Sequence, residues 1–157
     1  MSEAKEYLER IKWLDVLINS KQEELTALEA IAKRVTPVMK QGGGTGGTGN
    51  HDRLGDAVAK IADLQDEINR NVDIFVDMKR EAAAMLKKIK RADYYKVLHK
   101  RYVMYESFEK IATEMDITYR GVCYIHGRAL QAFDKVLEEH RSTESTTESS
   151  KRQRKRV

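Results

Sequence analysis

Ser107-Phe108-Glu109-Lys110-Ile111-Ala112-Thr113-Glu114-Met115-Asp116-Ile117-Thr118-Tyr119-Arg120-Gly121-Val122-Cys123-Tyr124-Ile125-His126-Gly127-Arg128-Ala129-Leu130 is the stretch whose reading decides the fold. Ser107 has the hydroxyl to cap a helix, and Glu109 sits favourably in its first turn. Ala112, beside the apolar Ile111, is small enough for a second helix to cross there, and Met115 closes the buried side. Asp116 stands at the bend, where a residue tolerant of left-handed backbone is wanted. Ile117 plugs the turn and Thr118 caps the next helix. That helix places Val122, Ile125 and Ala129 at three- and four-residue steps, which is one buried stripe. Tyr119, Arg120, Cys123, Tyr124 and Gly127 fall on the opposite, solvent-facing side. The pattern is a helix-turn-helix, whose second helix is shaped to enter a DNA major groove with its first turns against base edges. An αα-corner that only packs is the structural alternative.

Residues 116–130 resemble the recognition helix of the fourth region of primary bacterial sigma factors, and Leu98, Arg101 and Tyr102 resemble that family's lead-in helix, so the likeness covers residues 93–139. It implies a module that reads an upstream promoter element in double-stranded DNA and docks on RNA polymerase. Carried over by position, the DNA-facing residues are Tyr119, Arg120 and Tyr124. Thr118, Cys123 and Arg128 complete the candidate set on the same helix, with Lys100 and Arg101 on the lead-in helix. Tyr119, Gly121 and Cys123 stand where the family often has arginine or another polar residue, so the bases read do not carry over. A long helical N-terminal half joined to such a module is also similar to small phage-encoded late-gene transcription activators of the RinA/ArpU kind. That resemblance implies a cytoplasmic site of action in a bacterial host.

Upstream, heptads dominate. Positions a (Ala4, Ile11, Ile18, Leu25, Ala32) and d (Tyr7, Leu14, Lys21, Leu28, Val35) make nine of ten seam positions apolar, with Pro37 expected to end the helix. The glycine-rich run within 41–51 reads as a flexible connector. It is not a phosphate-binding loop, since no strand precedes it and no Lys-Ser/Thr pair follows. The second heptad has a at Leu54, Ile61, Ile68, Phe75, Ala82 and Ile89, and d at Ala57, Leu64, Asn71, Met78 and Met85; ten of these eleven are apolar. Two such helices fold back as an antiparallel hairpin over residues 1–91. Pairing Val35 with Leu54 sets Lys21 opposite Ile68, near Asn71, as a register-fixing polar layer; Lys21 could equally snorkel outward. Trp13, Val16, Leu17, Ile31, Val58, Val72, Ile74, Val76 and Leu86 lie off the seam. They imply further cover, either the C-terminal module folding back or a second copy of the chain, of which a homodimer is the expectation.

A bend at Arg91-Ala92-Asp93, with Asp93 as cap, separates this hairpin from a third helix at 93–105 and the helix-turn-helix domain at 92–140. Beyond His140 the Ser/Thr/Glu-rich segment has nothing to bury, so 141–157 reads as a disordered tail ending in the basic run 151–156. The fold class is therefore all-α: a long antiparallel helical hairpin of coiled-coil type, then a sigma-region-4-like helix-turn-helix bundle.

Charge is segregated. The chain has 157 residues and a net charge of +4, all of it in 141–157, where six basic residues meet two glutamates. Residues 79–101 carry nine basic against two acidic side chains, a belt suited to phosphate contacts just before the helix-turn-helix, whereas 102–140 nets −3. That near-neutral module leaves room for a second reading, an adaptor that binds polymerase or a repressor without reading DNA. No apolar run approaches the ~18 residues of a membrane span, and the N-terminus lacks the basic-then-apolar layout of a secretory signal. One cysteine excludes an internal disulfide and fits a reducing compartment. His51, His99, His126 and His140 are scattered. Cys123 and His126 could touch one metal ion, but two ligands do not make a zinc site. The expectation is no catalytic site, no resident metal and no cofactor.

Overall fold

The computed structural model describes residues 2–41 and 48–154, with side-chain surroundings for 2–34 and 52–151. Described elements are all helical: α1 (Glu3–Gln41), α2 (Thr48–Leu86), α3 (Ala92–Leu98), a single π-turn (His99–Val103), α4 (Phe108–Met115) and α5 (Tyr119–Arg154). No strand occurs among the described residues, and no helix is long and apolar enough to cross a membrane. The chain divides into two compact units, one made of Met1–Lys12 with Met78–Val157, the other of Trp13–Asp77. The glycine-rich connector lies largely outside the described residues.

Several expected boundaries move. α1 runs to Gln41, four residues past Pro37. A proline withdraws only one backbone donor from a helix, a local cost that a 39-residue helix can carry. α2 ends at Leu86, and non-helical backbone then leads to α3, whose N-cap is Arg91 rather than Asp93. Asp93 sits in the first turn instead, accepting from the Tyr94 amide at 3.0 Å and pairing with Arg91 at 2.7 Å. The expected division at 91/92 also differs from the compact units, because the start of α1 and the end of α2 share a core with the C-terminal helices.

In the Trp13–Asp77 unit the heptad positions Leu14, Ile18, Leu64 and Ile68 are buried. Leu25, Leu28, Ile61 and Asn71 are half-buried. Lys21 is half-buried, and its ammonium lies 3.5 Å from Glu24 Oε2 and 3.7 Å from Glu67 Oε1. Off the seam, Trp13 (61% exposed), Val16, Ile31, Val58, Ile74 and Val76 face solvent within the chain.

The other unit holds the deeper core. Phe133 is fully buried, as are Ala4, Leu8, Met85, Leu86, Val97, Leu98, Ile111, Val122 and Ala129. Its ends are tied by polar contacts: the Ala4 amide donates to Asp134 at 2.7 Å, which supplies the first turn of α1 with a carboxylate, and Arg141 meets Glu3 at 2.8 Å. Tyr7 donates to Glu81 at 2.8 Å, and burial followed by that carboxylate raises its hydroxyl pKa. α5 continues well past His140, where the sequence pattern suggests disorder. Residues 141–150 are exposed throughout, as expected, yet helical. Ser142, Thr143, Ser145, Thr146 and Thr147 each donate to the carbonyl four residues back, so their hydroxyls are satisfied on the helix itself and share carbonyls with its amides. The side chains of 152–157, most of the basic run, lie outside the described residues.

Candidate nucleic-acid interface

The turn between α4 and α5 is built from bonds that the local sequence dictates. Ser107 accepts from the Lys110 amide at 3.2 Å and starts α4. At its other end Asp116 adopts left-handed backbone (φ 54, ψ 45). Ile117 N donates to Ala112 O at 3.0 Å and Asp116 N to Thr113 O at 3.3 Å. These are the paired bonds of a Schellman termination, with an aspartate where glycine is commoner. Ile117 and Ala112 complete it by meeting in the core with Val97, Ile111 and Val122. Thr118 then caps α5 by accepting from Gly121 N at 3.0 Å. A Cβ on Gly121 would sit 3.2 Å from that hydroxyl, so the small residue lets the cap close. The direction in which α5 leaves α4 is thereby set by backbone bonds and one buried cluster.

Beneath α5 the chain adds a second layer of restraint. His126 Nε2 lies 2.9 Å from the Tyr102 hydroxyl, and its ring meets Phe108 edge-on at 4.9 Å. Burial, helped by the positive charges of Arg101 and Lys5, lowers the His126 pKa to about 4, while burial raises that of Tyr102 to about 12. The pair is therefore neutral at physiological pH. His126 Nε2 is engaged with Tyr102, and Cys123 is a half-buried free thiol.

Glu106 has no counterpart in the sequence reading. It is 8% exposed, with Lys110 at 3.0 Å and Lys100 at 3.5 Å from its carboxylate. Glu114 binds the same two lysines, and its hydrogen bond to Lys100 holds its carboxyl below the ordinary value. Arg101 donates to the Glu106 carbonyl at 3.0 Å and lies over the Phe108 ring at 4.7 Å. Lys100 and Arg101 thus have intramolecular partners that fasten the π-turn to α4.

On the other side of α5 the candidates are differently placed. Thr118, Tyr119, Arg120, Tyr124 and Arg128 are exposed, Tyr119 at 51% and Tyr124 at 64%. Cys123 is more covered than the sequence pattern suggests. The Arg128 guanidinium lies 5.5 Å from the Tyr124 ring centre, and Tyr119 packs edge-on to Phe108 at 6.2 Å. Arg120, Tyr124, Arg128, Gln131 and Lys135 follow one another at steps of four, four, three and four, so they form a single outward row. Among the described residues Arg120, Arg128 and Lys135 form no ion pair. Such a row offers planar and charged donors to an anionic, hydrogen-bonding surface.

One further grouping links distant residues: Glu81, His140 and Glu144 each bring a ligand atom within 4.8 Å of the others. The His140–Glu81 contact at 3.4 Å accounts for two of them, and Glu144 is exposed. No family model matches this chain, and no curated protein or solved structure is significantly similar to it.

Proposed function

We propose that the chain is a phage-type transcription regulator that binds double-stranded promoter or operator DNA through the first turns of α5 and contacts RNA polymerase. In this reading α1 and α2 form an antiparallel hairpin and α4–turn–α5 a sigma-like helix-turn-helix. The observation that carries the proposal is the outward row Arg120, Tyr124, Arg128, unpaired with any carboxylate and set at a fixed angle by the capped turn. A recognition helix needs that combination, because a bidentate arginine contact to guanine is lost if the helix can rock. Thr118 and Tyr119 stand at the groove rim near phosphates. Lys100 and Arg101 serve indirectly, by holding the π-turn and α4 under α5, and do not touch DNA. The apolar residues exposed on the hairpin, Trp13 and Val58 among them, support a second copy of the chain, which would supply two recognition helices for a palindromic site.

The net −3 of residues 102–140 favours a second reading, an adaptor whose module binds polymerase or a repressor without reading DNA. Fluorescence anisotropy with a labelled duplex of mixed sequence at physiological salt separates the two. Binding in the range of non-specific affinity, about 10⁻⁴ to 10⁻⁶ M, is expected of the regulator. No change in anisotropy across that range would leave the adaptor as the better account.

A further inference from the structure

The outward row of α5 does not stop at Arg128. It runs on into an open groove of about 390 Å³ walled by Lys88, Lys90, Arg91, Arg128, Lys135 and Tyr94, with no carboxylate in its lining. Local backbone explains how so many cations gather there. α2 ends at Leu86, and in the non-helical link that follows Ile89 turns into the core (8% exposed) while its neighbours Lys88 and Lys90 turn out. Arg91 contributes shape more than net charge: its guanidinium stacks on Tyr94 at 4.2 Å, donates to the Tyr94 hydroxyl at 3.2 Å and is paired through two nitrogens with Asp93, at 3.1 and 2.7 Å, outside the lining. Lys88, Lys90 and Lys135 form no ion pair among the described residues. Ile89 and Val136 give the groove an apolar floor.

The geometry points to this groove as a seat for the sugar–phosphate backbone of duplex DNA, flanking the bases that α5 addresses; the inference rests on the DNA-binding reading above. Helical rise decides the division of labour. Arg120 to Arg128 spans ~12 Å at 1.5 Å per residue, about the width of the major groove, so Arg128 reaches its rim. Gln131 and Lys135, at ~16–22 Å along the axis, stand beyond the groove, where only phosphates and sugars are within reach. Phosphates suit the ammonium groups, whose three donors make no planar demand, and deoxyribose suits an apolar floor. Lys88 and Lys90 come from the link after α2, so the strand is held from two elements, and binding here adds affinity without adding sequence preference. It also answers the weak charge of the helix-turn-helix segment, since the cations for phosphate lie outside 102–140 except Arg128 and Lys135.

The test is a salt series on the full chain with the mixed-sequence duplex, comparing wild type, Lys88→Ala/Lys90→Ala/Lys135→Ala, and the control Lys33→Ala/Arg53→Ala/Lys60→Ala, which removes equal charge from exposed positions of the Trp13–Asp77 unit. All six side chains are exposed, and circular dichroism melts verify that each variant folds. The groove variant is expected to flatten the slope of log K against log salt by about two to three, near 0.9 for each phosphate that is no longer neutralised. It should weaken every duplex by the same factor, while the control shifts the slope by less than about one. Wild-type binding with an unchanged slope in the groove variant, or an equal loss in the control, overturns the groove and leaves the DNA-binding reading standing. No duplex binding by wild type overturns both.

Discussion

The two faces of the α4–α5 region use charge in opposite ways. On the inward face Lys100 and Lys110 meet Glu106 and Glu114, Arg101 lies on Phe108, and His126 is kept neutral against Tyr102. On the outward face Arg120, Arg128, Lys88, Lys90 and Lys135 have no carboxylate partner among the described residues. By sequence alone, Lys100 and Lys90 are members of the same basic belt. Their difference shows that a cation count says little about a binding surface until the intramolecular partners are subtracted. A paired lysine near the surface contributes modestly to stability and offers little net charge to a phosphate. An unpaired one contributes almost nothing to stability and its whole charge to a ligand.

The contrast can be broken most sharply from the inward side. Glu106→Ala removes the carboxylate shared by two lysines and leaves Lys100, the more covered of them, without one of its two anchors. A loss of about 2 kcal/mol in unfolding free energy is expected, after allowing for the solvent access of Lys110. A denaturant titration reads it; a change under ~0.5 kcal/mol would mean that the network is decorative.

pH probes the same face. His126 has a folded pKa near 4, below the 6.5 of an unperturbed imidazole. Between those values the unfolded chain binds more protons than the folded one, so stability rises with pH across the window and is lost as pH falls through it. With ~1.4 kcal/mol per pKa unit and partial exposure of the ring, about 1–2 kcal/mol of stability should disappear between pH 6.5 and 4. His126→Phe should remove that part of the pH dependence, measured as the melting temperature against pH. An unchanged slope in the variant would place the titration elsewhere.

The outward face predicts the smallest effect on folding. Lys88→Ala/Lys90→Ala/Lys135→Ala should change unfolding free energy by less than ~0.5 kcal/mol per site, since no packed core contact or ion pair is removed. A larger loss would mean that these lysines have structural work, and would erase the distinction between the faces.

How much of this is legible in the sequence follows from how local each feature is. Ser107, Asp116 and Thr118 announce their roles because a cap or a left-handed turn is decided within four residues, and the structure places all three as expected. The buried stripe of Val122 and Ala129 follows from helical period alone. Leu8 and Leu86, off the heptad seam, are buried for a non-local reason: the ends of α1 and α2 belong to the core around Phe133. Glu106 reads as an ordinary surface acid because its burial depends on a π-turn that no short pattern specifies. The groove is half visible. The charge belt marks Lys88, Lys90 and Arg91, but their meeting with Lys135, over forty residues on, requires the fold. In the tail the sequence offers only lack of burial; the helix over 141–150 is accompanied by hydroxyl bonds to carbonyls four residues back, a contact that burial pattern does not announce.

The central claim is that the exposed first turns of α5 discriminate between DNA sequences. Selection from a random-core duplex library, by wild type and by Arg120→Ala/Tyr124→Ala in parallel, tests it most directly. Wild type should enrich a shared sequence. The double variant, with unchanged helicity and melting temperature, should bind the pool yet enrich none, as expected when base contacts worth about 1–3 kcal/mol of discrimination each are removed. Enrichment of the same sequence by the double variant would contradict the account.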